Sequence, residues 1–253
     1  MKKMCFAFLV LAFVFGAALV VTADTWHYDF NTPGITGLNE INPTGIPSYS
    51  VTGGSLRMNI PSRSGYGYSG YDLCDWVNRD ALRFLRSGGA EAFSLETKIS
   101  TSSTGSPSHT YLSGLYLFSN DGNYYNDLVF AANSTHLKID RGNGTSTGGG
   151  THPWTDIGSY DSLFLQVLYD GVNSYDFNYK TATGDSWSLL TSFTGFSFDQ
   201  VGIITKTWYS PSPGVTADFD YLNYNYTVPI PGVLWLLGSG LLGLIGIRKK
   251  FQK

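Results

Sequence analysis

Cysteine is nearly absent from this chain of 253 residues. Of its two cysteines, Cys5 lies in an apolar N-terminal run, which leaves Cys74 alone in the remainder. One thiol cannot close an internal disulfide, so the fold has to be held together by its core. The roughly 200 residues between the terminal segments are enough chain to bury one.

Charged residues are scarce and unevenly distributed. They make up 14% of the chain against 42% hydrophobic residues, which is too apolar for a disordered protein. Of the 16 Lys and Arg, two precede residue 24 and four follow Gly246. Residues 24–227 therefore contain ten basic residues and all 19 acidic ones, which gives this region a net charge of −9. Such a surface repels phosphate backbones, and nucleic acid is not an expected partner.

Catalytic patterns are missing as well. Glycoside hydrolysis needs two carboxylates across a cleft, and Glu40, Glu91 and Glu96 form no paired pattern. The Gly-x-Ser-x-Gly match "GTSTG" at residues 144–148 lies in a low-complexity, glycine-rich stretch and not in a strand–turn–helix elbow, and there is no His-x-x-x-His spacing, so neither a serine hydrolase nor a zinc site is indicated. Asp218 and Asp220, two apart on a predicted strand, are interpreted as structural. We therefore expect a protein that is not an enzyme.

The N-terminus has the three parts of a secretory signal peptide. Residues 1–23 begin with Lys2 and Lys3, continue through an apolar stretch, and end in the small residues "VTA". This pattern predicts cleavage after Ala23 and export of the remainder. The alternative is a permanent N-terminal anchor.

The C-terminus carries a second apolar segment, "VPIPGVLWLLGSGLLGLIGIRKKFQK", at residues 228–253. Its charge-free part is short but adequate for a transmembrane helix, which needs about 17–25 apolar residues. The basic residues that follow favour the cytoplasmic side. Together with the signal peptide, this predicts that residues 24–227 lie outside and the tail inside. The alternative is an ordinary C-terminal anchor.

The tail resembles the PEP-CTERM sorting domain of Gram-negative bacteria, with Ile230 where the name-giving motif has Glu. The resemblance implies sorting by an exosortase that cuts near the proline motif. It also implies a transient inner-membrane anchor, with the body on the periplasmic side and a final place in the cell envelope or outside the cell. The matching parts are Val228, Pro229, Ile230 and Pro231, the block "WLLGSGLLGL" at 235–244, and Arg248, Lys249 and Lys250.

Residues 24–227 show short alternating runs between turn residues instead of long helical periodicity. Hairpins are predicted around Gly53-Gly54 and around residues 171–173. One helix is predicted over residues 75–86, where Trp76, Ala81, Leu82 and Leu85 can share a face. About ten to twelve strands predict an all-β, two-sheet jelly-roll sandwich with one short helix, besides the signal helix and the C-terminal transmembrane helix.

The strand layout over residues 92–224 resembles the concanavalin A-like sandwich, in particular its laminin-G-like and DUF1349-like members. That family includes carbohydrate-binding modules, so the resemblance implies a lectin-like fold without fixing an activity. The matching pieces, in order, are "FSLETKIS", "LSGLYLFSNDGNYYNDLVF", "FLQVLYDGVNSYDFNYKTATGDSWSLL" and "VGIITKTW" with "TADFDYLNY".

Aromatic side chains in loops are the candidate ligand-binding residues. Trp154, Trp208 and Tyr209 are chosen because each adjoins a loop that contains proline. The oxygens of Asp121, Asn123 and Asp127 have spacings that could converge on calcium, but an Asp-Gly hairpin turn is the favoured interpretation of this stretch. No other cofactor is expected.

Three segments are thus predicted: a signal peptide (1–23), a β-sandwich domain (24–227), and a sorting and membrane segment (228–253). The favoured function is a non-catalytic, lectin-like protein of the cell envelope or extracellular matrix. Its expected partners are an exosortase, the membrane through the C-terminal helix, and extracellular polysaccharide. The alternatives are a glycan-active hydrolase or lyase and a purely structural surface protein.

Overall fold

The computed structural model describes residues 25–31, 35–42, 45–62, 81–88, 91–104, 111–120, 125–142, 153–207 and 214–226. These residues belong to one compact unit, Thr25–Thr227. The predicted signal peptide, the sorting segment, Cys5 and Cys74 all lie outside them. The described ranges hold no helix, and hence no helix that could cross a membrane.

Fifteen β-strands account for the regular structure of the described residues. They are β1 (Trp26–Tyr28), β2 (Asn39–Ile41), β3 (Ser48–Thr52), β4 (Ser55–Ile60), β5 (Ala81–Ser87), β6 (Phe93–Thr104), β7 (Tyr111–Asn120), β8 (Tyr125–Ala132), β9 (His136–Gly142), β10 (Trp154–Asp156), β11 (Leu163–Tyr169), β12 (Ser174–Lys180), β13 (Ser188–Thr194), β14 (Gln200–Thr207) and β15 (Gly214–Tyr226). β2, β5 and β10 are strands that the sequence pattern did not predict.

The strands form two antiparallel sheets within the described part of the chain. Sheet A has the order β13-β12-β11-β6-β15-β4-β3, with β1 added beside β15. Sheet B has the order β10-β9-β8-β7-β14-β5-β2. In sheet A, one edge of β15 pairs with β6 along its length, while β4 and β1 share the other edge. The all-β, two-sheet architecture is as predicted.

The strands of sheet A follow the simple alternation that the sequence predicts. In β6, Phe93, Leu95 and Ile99 are buried, whereas Glu96 and Lys98 between them point outward and stay partly exposed. The predicted β3–β4 hairpin is also confirmed. Its turn residues Gly53 and Gly54 have φ of 62° and 80°, a conformation that residues with a Cβ rarely adopt.

The main core lies between the two sheets and is rich in aromatic rings. Phe130 of sheet B meets Phe177 of sheet A with ring centroids 5.4 Å apart and nearly perpendicular planes. Both side chains are fully buried. Edge-to-face contact of this kind is the favoured geometry for aromatic pairs. The large core residues include Leu56, Met58, Phe84, Leu95, Ile99, Leu115, Phe130, Leu165, Phe177, Ile203 and Phe219.

Sheet B is apolar on both faces, unlike sheet A. Its inward side chains join the main core, and its outward ones form a second buried cluster. β5 illustrates the effect, because all five residues from Ala81 to Leu85 are buried. The second cluster comprises Ala81, Leu85, Leu112, Tyr116, Phe118, Val129, Ala131 and Ile204.

The predicted helix over residues 75–86 is wrong from Ala81 onward, where the chain forms β5. Residues 75–80 lie outside the described ranges. The physical reason is the two-sided burial of β5, which removes the period of two, because the outward Ala81 and Leu85 are as apolar as the inward Leu82 and Phe84 and only Arg83 interrupts the run. Such a run cannot be told from a buried helix by periodicity alone.

Asp170 organises the turn between β11 and β12, the second predicted hairpin, which is confirmed. Its Oδ1 accepts the backbone N–H groups of Val172, Asn173 and Ser174 at 2.8, 2.8 and 2.9 Å. These bonds stabilise the charged form, and they hold the pKa of Asp170 below its usual range.

We predict that Asp170→Asn lowers the Tm by a few degrees at neutral pH. The folded-state pKa of Asp170 is depressed, so its ionised form stabilises the fold above the unfolded pKa of about 3.9, and this contribution is lost as the pH falls through the folded value. Thermal denaturation of both proteins should therefore show a difference that shrinks at low pH. Asp161→Asn, at an exposed aspartate, is the control. A difference that stayed constant with pH would contradict this role.

Candidate functional site

The outer face of sheet B becomes polar at its β9–β10 edge. In β9, Leu137 and Ile139 point into the main core. His136, Lys138 and Asp140 alternate with them and therefore point outward. A tryptophan from the neighbouring edge strand joins these three residues.

Trp154 lies on the same outer face, because in β10 it stands directly opposite Lys138. Its side chain is 63% exposed, the largest exposed ring among the described residues. The ring centroid lies 5.4 Å from that of His136, at an interplanar angle of 47°. A tryptophan so exposed on an ordered strand is an informative exception, since most large aromatic side chains are buried. The structure places Trp154 in a strand and not in the loop that the sequence suggested.

His136 is fixed by the turn that precedes β9. Its backbone N–H and that of Thr135 both donate to Asn133 Oδ1, at 2.8 and 3.0 Å. Thr135 Oγ1 lies 2.7 Å from His136 Nδ1. Tyr160 donates its hydroxyl to the Asn133 carbonyl at 2.6 Å, and burial raises the pKa of this phenol far above neutral pH, so it remains a donor. The ring beside Trp154 is therefore preorganised.

Asp140 lies between two positively charged side chains on this face. It is only 2% exposed and forms ion pairs with two lysines. Lys138 Nζ lies 2.6 Å from Oδ1, and Lys206 Nζ lies 3.3 Å from Oδ2. Lys206 is fully buried and comes from β14, so β7 and β8 lie between the two charges.

Two small residues leave room for the Lys206 side chain to cross β7 and β8. Gly114 and Ala131 stand opposite each other in the cross-strand row from Ile204 to Lys138, and the diagonal from Lys206 to Asp140 crosses this row. A Cβ on Gly114 would lie 2.3 Å from the carbonyl oxygen of Phe130, so no larger residue fits there. The sequence therefore allows a lysine to reach a carboxylate three strands away.

The other predicted ligand residues are not tested by the structure. Trp208, Tyr209, Asp121 and Asn123 lie outside the described residues, and Asp127 is described only as part of the β8 backbone. No group of His, Cys, Asp and Glu suited to a metal occurs within the described ranges. The sorting residues Val228, Pro229, Ile230, Pro231, Arg248, Lys249 and Lys250 also lie outside them.

The carboxylates on the outer face of sheet A have structural partners. Arg57 makes a two-point contact with Asp218, at 2.7 and 2.9 Å. Lys98 donates to Asp220 at 2.5 Å. Each of the two aspartates thus has an ion-pair partner, as the structural interpretation expects. Glu96 accepts a hydrogen bond of 2.5 Å from Tyr221, and burial together with this carboxylate raises the pKa of the phenol.

The sequence reasoning missed His136, Lys138, Asp140 and Lys206. A signal for the first three is present in "HLKID", where alternation puts the polar residues on one face. Nothing comparable indicates Lys206, because its approach to Asp140 depends on the order of strands in sheet B.

Solved structures of similar fold include a GH43 protein of Bacillus licheniformis, a seed lectin of Lotus tetragonolobus, and a functionally unknown protein of Saccharomyces cerevisiae. Their TM-scores are 0.55, 0.52 and 0.53, with 18%, 13% and 13% identity. The matches cover 79%, 82% and 76% of this chain, and 39%, 100% and 98% of the respective structures. The chain thus spans well under half of the GH43 protein.

At these identities the likeness shows the fold alone, and that fold is the lectin-like, concanavalin A-like β-sandwich. The resemblance inferred for residues 92–224 is confirmed to this extent. No family model matches the chain, and no curated protein matches its sequence.

Proposed function

We propose that this protein is a non-catalytic, lectin-like module that binds extracellular polysaccharide through Trp154 and the charged residues beside it. The observation that carries the proposal is the exposed Trp154 ring on the outer face of a lectin-like sandwich. Sugar rings present apolar faces edged with hydroxyl groups. An aromatic ring suits the first, and His136, Lys138 and Asp156 along the same edge can hydrogen-bond to the second.

The alternative is an enzyme that cleaves glycans, and the GH43 neighbour is the observation on its side. Catalysis by two carboxylates requires one acid and one base or nucleophile facing each other. In the described residues, Asp140, Asp218 and Asp220 are each ion-paired and Glu96 is bonded to a tyrosine. This arrangement supports the binding role over the enzymatic one.

The test is affinity electrophoresis of the purified protein through gels that contain polysaccharide extracted from the source organism. We predict that the wild type is retarded and that Trp154→Ala loses at least tenfold in affinity, because aromatic anchors at binding surfaces contribute about 2 kcal/mol or more. Leu189→Ala, which removes an exposed apolar side chain from sheet A, is the matched control.

Equal retardation of the wild type and Trp154→Ala would contradict this site. Release of reducing ends from the polysaccharide would instead establish the enzymatic alternative. Retardation that EDTA abolishes would point to calcium at Asp121, Asn123 and Asp127, whereas we expect binding without any cofactor.

The proposal includes export and sorting, which rest on the terminal segments. We expect the full chain to lose residues 1–23 on export, to be held transiently in the inner membrane by residues 228–253, and to be released by an exosortase. Fractionation of cells with and without the exosortase, followed by mass spectrometry of the protein's ends, measures this. An intact chain in the cytosol would overturn it.

A further inference from the structure

Lys206 and Asp140 form a buried ion pair of unusual placement. Lys206 is 0% exposed and Asp140 is 2% exposed, with Nζ and Oδ2 3.3 Å apart. The two residues come from strands that are not adjacent in the sheet, so the contact is not an ordinary cross-strand pair. Each side chain extends over the outer face of sheet B toward the other.

Besides Lys138, which contacts Asp140, the cross-strand neighbours of this pair are apolar. Leu112 stands opposite Lys206, and Val129 stands opposite Asp140. Both are at most 1% exposed, as is Ile204, two residues from Lys206 on the same face. Burial in such surroundings disfavours charged groups and favours the neutral amine and carboxylic acid, which follow from one proton transfer within the pair.

We propose that Lys206 and Asp140 are joined by an intramolecular isopeptide bond. The Nζ–Cγ bond forms and the Cγ–Oδ2 bond breaks, and Oδ2 leaves as water with two of the three ammonium protons. Charge and atoms balance without any oxidant or further reactant, since an ammonium and a carboxylate become a neutral amide and one water molecule. The Nζ–Oδ2 distance of 3.3 Å places the Lys206 amine beside the carboxyl group that it attacks.

Lys138 places a positive charge beside Oδ1, the carboxylate oxygen of Asp140 that stays in the amide. Its Nζ lies 2.6 Å from Oδ1, and its side chain is 29% exposed, whereas that of Lys206 is fully buried. When Nζ of Lys206 adds to Cγ, negative charge develops on Oδ1, where this ammonium is already positioned to stabilise it. Lys138 is thus a positioning and charge-stabilising residue, while Lys206 is the nucleophile.

The product would suit a chain with a lone cysteine outside its predicted signal peptide. The amide would tie β9 to β14 across β7 and β8, and so connect segments that are distant in sequence. It would also replace two buried charges by a neutral group, which removes the cost of keeping ions out of water. Loop closure of this kind constrains the unfolded chain as a disulfide does.

The test is mass spectrometry of the full-length protein, purified as expressed and denatured before measurement. A digest should contain a branched peptide in which the segments around Asp140 and Lys206 are linked, with the mass of one water missing. The mass of the intact wild type should also be compared with that of Lys206→Arg. After the mass difference between Lys and Arg is subtracted, the wild type should be lighter by one water molecule. Any processing of the chain ends cancels in that comparison.

Lys180→Arg, at a lysine of sheet A, is the matched control and should differ from the wild type by the residue difference alone. Lys138→Arg should still form the bond, and Lys138→Met should form it more slowly after refolding, measured by the time course of the mass loss. The wild-type digest decides the matter even if a variant fails to fold. Linear peptides carrying unmodified Lys206 as the main species would overturn the proposal.

Discussion

Replacing Gly202 by alanine will destabilise the protein by about 3 kcal/mol or more, or prevent folding altogether. Gly202 lies in β14 between Leu85 of β5 and Tyr116 of β7. An added Cβ would lie 1.9 Å from the carbonyl oxygen of Phe84 and 3.1 Å from the Cα of Leu85. These are backbone atoms of a paired strand, so the clash can be relieved only by moving β5 away from β14.

The measurement is urea denaturation followed by tryptophan fluorescence, together with the yield of soluble protein. Gly184→Ala is the matched control, because no atom lies within 4 Å of its added Cβ and its φ is not in the left-handed region. A Gly202→Ala protein with an unfolding midpoint close to that of the wild type would show that the two strands are less tightly paired than the structure indicates.

Phe177→Ala should cost about 3–5 kcal/mol of folding free energy. The side chain is fully buried and touches Phe130 from the opposite sheet and Phe193 from the neighbouring strand, with centroids 5.4 and 5.8 Å away. Its removal leaves a cavity between the sheets that neither strand can close, because both are fixed by backbone pairing.

A double-mutant cycle with Phe130→Ala measures the contact between the sheets. The two losses should fall short of additivity by about 0.5–1.5 kcal/mol, the coupling typical of an edge-to-face pair. Val172→Ala, at a side chain 81% exposed, should leave the unfolding midpoint unchanged. Full additivity would contradict direct packing of the two rings.

The strands of sheet A could be predicted from the sequence because one face of the sheet is exposed to solvent. In β6, Phe93, Leu95 and Ile99 alternate with polar residues, and this alternation marks both the strand and its inner face. In β5 the signal disappears, since Leu82 and Phe84 face one core while Ala81 and Leu85 face another apolar cluster. The error over residues 75–86 comes from this difference between the two sheets.

The candidate site could be predicted only in part, because most of its residues come together through strand pairing that the sequence does not reveal. Trp154 stands out from sequence alone as an aromatic residue beside a proline-containing loop. Its partners His136 and Lys138 follow only once β10 is known to pair with β9. The approach of Lys206 to Asp140 requires the full strand order of sheet B together with the small Gly114 and Ala131.

The pairing of β15 has a consequence for the timing of biosynthesis. Trp26 near the start of the described chain stands opposite Tyr224 near its end, and β15 also separates β6 from β4. A ribosome makes this central strand after every other strand described, so sheet A cannot be completed on a partly made polypeptide. Until β15 has been made, β6 and β4 lack the strand that lies between them in sheet A.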